Sequence, residues 1–137
     1  MEIASFDDLL RAARQQADPQ RLLFVFTRAG LPDDATPAQR ADFAAGRGGA
    51  LLPLMVTSKA PDEIAGFAAL VEESRKLAQD WTIVFAAALP GRNGKAPTNE
   101  HADEALQRMV DAIKEGVFGT MIPFDRNGHP VRLRRGG

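Results

Sequence analysis

The chain has 137 residues, of which 45% are hydrophobic and 26% charged, and 17 basic against 18 acidic residues leave a formal net charge of −1. Such a chain fits one domain, residues 1–137, that buries roughly two-thirds of its unfolded surface. The near-cancellation of charge excludes a global field toward nucleic acid or an anionic membrane, and the lack of cysteine excludes thiol nucleophiles, thiolate metal sites and disulfides.

Tyrosine is also missing, and the only imidazoles are His101 and His129. The opening Met1-Glu2-Ile3 has neither the basic nor the apolar region of a secretory signal. The longest apolar run, Ile83 to Leu89, is far short of the roughly 20 residues of a membrane span. The expected compartment is therefore the cytoplasm, with no membrane partner.

In chain order, Ser5 is an N-cap for a helix that turns Phe6, Leu9, Leu10 and Ala13 to one side, with Asp7 and Asp8 in its first turn. Asp18-Pro19 ends it. Leu22 to Phe26 is apolar at every position, as expected of a strand covered on both faces. Thr36-Pro37-Ala38-Gln39 forms a capping box with proline at the first helical position, and Gly46-Arg47-Gly48-Gly49 ends that helix. Ala50 to Val56 is a second strand, in which Pro53 implies a sheet edge or a bulge. Pro61-Asp62-Glu63 opens a helix with Ile64, Phe67, Ala68, Val71 and Ala78 inward and a Glu72–Lys76 pair outward. Trp81 to Ala88 is a third strand, and Pro90 to Pro97 is a surface loop. Thr98 or Asn99 caps a helix with Leu106, Met109, Val110 and Ile113 inward, stopped by Gly116. Thr120 to Phe124, the turn Asn127-Gly128 and Val131 to Leu133 form a hairpin.

Residues 37–45 and 61–69 share a proline, a phenylalanine and three alanines at matching positions. Each segment follows a strand, so they read as similar βα units. The expected fold is a single α/β domain of three βα-type units forming a mixed, partly parallel sheet. The strands around Phe24 and Val84 run parallel in this reading, and a C-terminal hairpin closes the domain.

The segments 5–13, 19–26, 67–75 and 106–110 resemble an uncharacterised family of short bacterial proteins that often carry the label "ribonucleotide reductase subunit alpha". The resemblance covers most of the chain and implies no catalytic residue. A reductase of that class needs a radical cysteine and a reducing cysteine pair, so the label describes no activity that this cysteine-free chain could perform.

Leu89 to Ala96 has the outline of a phosphate-binding P-loop. It lacks the first glycine and the magnesium-binding hydroxyl, and Pro97 interrupts entry into the helix. A more specific site follows from the expected topology. Ligands of open α/β sheets bind beyond the carboxyl ends of the strands. There the loops carry Arg28, then Ser58 and Lys59, then Arg92, Asn93 and Lys95, which would converge beside helix N-termini on a small phosphate or carboxylate ligand. Asp33, Asp34, Asp62, Glu63, Glu100 and Asp103 crowd the same region and could instead pair with these cations as a solvated rim.

Arg126, His129, Arg132, Arg134 and Arg135 make a basic tail. No aromatic interleaves with it, which argues for protection of a sheet edge and against nucleic acid as a partner. Neither histidine has a second ligand at metal spacing, and no G-x-S-x-G occurs. No catalytic constellation, metal site or cofactor is expected. The reading is a small cytoplasmic binding or interaction protein that self-associates as a homodimer, or alternatively a binder or enzyme for a small anionic ligand.

Overall fold

A computed structural model describes residues 5–31, 34–45, 50–76, 80–119 and 121–131. Several expectations fall on other residues and lie outside the described ones: Met1 to Ile3, Asp33, the Gly46–Gly49 stop, Ala78, Thr120, and Arg132 to Arg135.

Helix α1, Phe6–Arg14, starts where the Ser5 hydroxyl accepts a hydrogen bond from Asp8 N at 3.2 Å. Phe6, Leu9, Leu10 and Ala13 are buried as their spacing requires. Strand β1, Gln20–Gly30, leads to α2, Pro37–Ala44, which has both bonds of the Thr36–Gln39 capping box. No residue of α2 is buried. Local capping therefore defines this helix without an apolar stripe to bind it to the body. Strand β2, Ala50–Lys59, α3, Phe67–Arg75, β3, Ile83–Pro90, α4, Asn99–Glu115, and β4, Ile122–Phe124, complete the order.

The four strands form one sheet in the order β2-β1-β3-β4, and every neighbouring pair is antiparallel. The mixed, partly parallel sheet is thus corrected, and β1 and β3 run in opposite directions. Strands β2 and β3 are parallel to one another but lie on either side of β1, so β2-α3-β3 is a split β-α-β unit. The run 22–26 misleads because a central strand buried on both faces has the same apolar pattern in either kind of sheet. Leu22, Phe24 and Phe26 point to a core shared with α1 and α3, whereas Leu23 and Val25 point to one shared with α4. Helices on both sides of the sheet, rather than parallel pairing, explain the continuous run.

Pro53 meets both expectations. It lies on the edge strand, and the register shifts as Phe26 opposes Met55 and Thr27 opposes Pro53, leaving Leu54 without a partner. The helix expected from Pro61 is interrupted. Pro61–Glu63 is a 3-10 turn, Ile64 is extended and buried, and α3 starts only at Phe67. The Arg14 guanidinium donates to the carbonyls of Pro61 and Ile64 at 3.2 and 3.0 Å, which satisfies backbone groups the helix would otherwise have used. Glu72 pairs with Arg75 at 3.6 Å rather than with Lys76.

Of the last hairpin the described residues show β4 and a single bridge from Phe124 to Pro130, with Val131 N donating to Pro123 O at 3.0 Å, while its expected second strand, Val131 to Leu133, lies mostly outside them. Its turn differs from the Asn-Gly pattern. Gly128 N donates to Asp125 O at 3.1 Å, and only Gly128 has positive φ, 80°. This is a type I turn with a left-handed glycine. A Cβ on Gly128 would also come within 3.1 Å of the Phe67 ring.

Trp81 closes the core between the sheet and α3. Its indole N–H donates to the Ser74 hydroxyl at 2.8 Å, that hydroxyl donates to Val71 O at 2.6 Å, and Phe26 lies edge-on at 5.1 Å. Replacing Ser74 with alanine is expected to leave the buried indole N–H unsatisfied, at a cost of about 1–3 kcal/mol. Denaturant unfolding followed by fluorescence of this single tryptophan should show a lower midpoint with an unchanged slope.

Candidate cationic groove

Because β2 and β3 both oppose β1, both end where β1 begins: Lys59 pairs with Leu22, and Pro90 with Gln20. The ends of β2 and β3 are therefore together as expected. Arg28 is not with them. It pairs with Leu52 near the other end of β1, so antiparallel pairing removes it from the candidate set. Lys59 is removed for a different reason. Adjacent residues of a strand point to opposite faces, and Lys59 shares the α3 face, where it forms a 2.9 Å ion pair with Glu73. Ser58 faces the α4 side, and its hydroxyl accepts from Arg21 Nε at 3.0 Å.

Arg92, Asn93 and Lys95 remain, and they are held in a defined structure rather than a loose loop. Arg92 and Lys95 exchange two backbone hydrogen bonds of 2.9 Å around Asn93 and Gly94, whose φ values are 53° and 75°. This is a type I′ turn. The paired register sets the Arg92 and Lys95 side chains next to each other. Gly91 N donates to Pro19 O at 2.9 Å and Gly94 N to Asp18 Oδ1 at 3.0 Å, pinning the tip to the start of β1. With the amides of Gly91, Arg92, Gly94 and Lys95 all engaged within the protein, the P-loop outline cannot cradle a phosphate on its backbone.

An open groove of about 530 Å³ lies between this tip and α4. Leu89, Arg92 and Lys95 contribute one side, and His101, Glu104 and Arg108 the other. The last three follow helical spacing and form one stripe of α4. Thr98 caps the helix by accepting from His101 N at 3.1 Å. Arg21 donates to Pro97 O at 3.4 Å, which ties the entry of α4 to β1 and, through Ser58, to β2. Arg92, Lys95 and Arg108 form no ion pair with any described carboxylate. The solvated-rim alternative fits Lys59, although its partner is Glu73 rather than any of the acids the sequence suggested.

The groove can therefore attract charge. Its lining holds three permanent cations and one carboxylate, next to the N-terminal end of a 17-residue helix. Its single hydroxyl, on Thr98, is used as the helix cap, and among the described residues no three His, Asp or Glu side chains are grouped to hold a metal ion. Arg108 and Arg21 were missed in the sequence. The spacing of His101, Glu104 and Arg108 after a capping threonine could have revealed the first, but nothing local marks Arg21.

No protein-family model matches the chain, and no curated protein or solved structure is significantly similar to it.

The two glycines of the tip should respond differently to alanine. A Cβ on Gly91 would collide with the Lys95 carbonyl and come within 2.6 Å of Pro19 O, both backbone atoms, whereas at Gly94 it would meet nothing within 4 Å. Gly94→Ala is expected to cost about 1–2 kcal/mol for its left-handed backbone alone. Gly91→Ala should cost more and displace the tip, which thermal unfolding and amide spectra of residues 91–95 would show.

Proposed function

We propose that this protein is a cytoplasmic binding protein whose ligand is a small anion bearing phosphate or carboxylate. The observation carrying this reading is the groove itself: Arg92 and Lys95 from the turn and Arg108 from α4 face one concave space without forming ion pairs with described carboxylates. Cations beside a helix N-terminus attract the same charge, and the concave form supplies the enclosure that a flat patch lacks. The volume of about 530 Å³ falls within the roughly 300–1,000 Å³ of small-molecule sites. Asn93 stays in the set as the residue that forms the turn.

Thermal unfolding in the presence of phosphate, pyrophosphate, citrate and nucleoside phosphates tests this reading. A ligand at about 100 times its dissociation constant is expected to stabilise the fold by roughly 2.7 kcal/mol. Arg92→Ala combined with Arg108→Ala should abolish the shift, while Arg28→Ala, at the other end of β1, should leave it intact. A flat response to the whole panel overturns the site.

A second reading concerns self-association. The outer edge of β2 has no partner strand among the described residues, and Leu54 and Val56 are 38% and 45% exposed on it. From Ala50 to Ser58 the strand carries no charge, so an antiparallel twofold copy meets no like-charge repulsion along those residues. A homodimer paired edge to edge would have twice the 14.8 kDa chain mass by light scattering, and Val56→Lys should return it to the monomer. A monomer mass for the parent chain at high micromolar concentration rules this pairing out.

A further inference from the structure

The cationic groove does not end at Arg108. A second open space of about 410 Å³ continues from it along the sheet, and Leu89 and Arg108 line both. The lining there changes character: Ala87, Leu89, Ala105, Met109, Ala112 and Met121 make an apolar trench between β3 and α4. Its origin is visible in the packing. Helix α4 lies across β1 and β2 rather than over β3, and the facing positions on strand and helix are alanines, which leave space where larger side chains would close the gap. Strand β1 pairs with Ala87 to Pro90 on one side, but β4 reaches only residues 84–86, so among the described residues no strand closes the trench on the β4 side. Ala87, Leu89 and Ala112 are only half-buried.

From this continuity we infer that the ligand is a single-chain amphiphile. Its anionic head sits among Arg92, Lys95 and Arg108, and its alkyl chain lies in the trench toward Met121. This deepens the proposed function and rests on it. A purely hydrophilic anion would use the mouth and leave the apolar floor wet. A neutral alkyl chain would fill the floor and leave the cations without a counter-charge. An amphiphile with charge at one end matches both halves in the order in which they occur, and Arg108, at their junction, can reach the head while its methylenes border the chain.

The test compares decyl phosphate below its micellar concentration with inorganic phosphate and with decanol, using calorimetry and thermal unfolding of the full chain. Each buried methylene is worth a factor of about four in affinity, so decyl phosphate is expected to bind at least about tenfold more tightly than inorganic phosphate. Decanol should bind more weakly than decyl phosphate. Ala112→Leu and, separately, Ala87→Leu fill the trench from its two walls. Either folded variant should lose the advantage of the chain while keeping the affinity for inorganic phosphate. Equal binding of decyl phosphate and phosphate by the parent chain overturns the amphiphile and leaves the anion site standing. Equal binding of decanol and decyl phosphate, or an advantage that survives both substitutions, also overturns it. No binding of any phosphate overturns the anion site together with this inference.

Discussion

The burial of β1 on both faces is the constraint on which the rest of the structure depends. Phe24, Val25 and Phe26 are fully buried, and successive side chains serve different cores. Each such side chain contributes about 1.5–3 kcal/mol when removed from water, so the strand can be stable only if helices cover both sides of it. Helices α1 and α3 provide one cover and α4 the other. β2 and β3 must then flank β1, and because both run opposite to it, both deliver their last residues to the point where it starts.

The cationic groove is a consequence of that arrangement. The tip after β3 would be a free hairpin in isolation, but Asp18 and Pro19, just before β1, accept hydrogen bonds from Gly94 and Gly91. Arg21, the second residue of β1, holds Ser58 and the Pro97 carbonyl. One short stretch, residues 18–21, thus sets the position of the Arg92–Lys95 turn and of the entry into α4. A rigid frame of this kind fixes the cations without neutralising them, because its hydrogen bonds use backbone groups, a hydroxyl and Asp18 in place of the charged side chains of the groove.

Aromatic packing explains why the opposite face is filled more tightly, leaving a space of only about 60 Å³ between β2 and α3. Phe6 lies 5.0–5.9 Å from Phe24, Phe67 and Phe124, and the Arg126 guanidinium lies 5.1 Å above Trp81. These large rings fill the layer between the sheet and helices α1 and α3. The α4 side is built mainly from alanines, methionines and branched aliphatic side chains, with Phe85 and Phe118 stacked on one another as its aromatic pair. The difference in side-chain volume between the two layers leaves the open trench on the α4 side.

Much of this was legible in the sequence. Ser5, the Thr36–Gln39 box, Thr98 and Gly116 define helix ends through bonds between residues a few positions apart, and such bonds form without reference to the rest of the chain. Pro53 marked an edge because a missing N–H is a local fact. The apolar run in β1 announced two covered faces. Strand direction was decided elsewhere, since an apolar run is the same read toward either neighbour, and only the packing of α1, α3 and α4 on the finished sheet made every pair antiparallel. That choice separated Arg28 from the other cations by the length of β1. The alternation of side chains along β2 then assigned Ser58 and Lys59 to opposite faces. Asn-Gly appears twice, but only Asn93-Gly94 takes the type I′ form, because Asp125 accepts from the amides of Asn127 and His129 at 2.8 and 3.1 Å and favours a different turn there. The sequence by itself determined the caps of α1, α2 and α4 and the faces that α1, β1 and α4 bury, but not the start of α3. Tertiary structure alone decided which charged residues meet, because that depends on strand order and direction, which contacts between residues far apart in the chain establish.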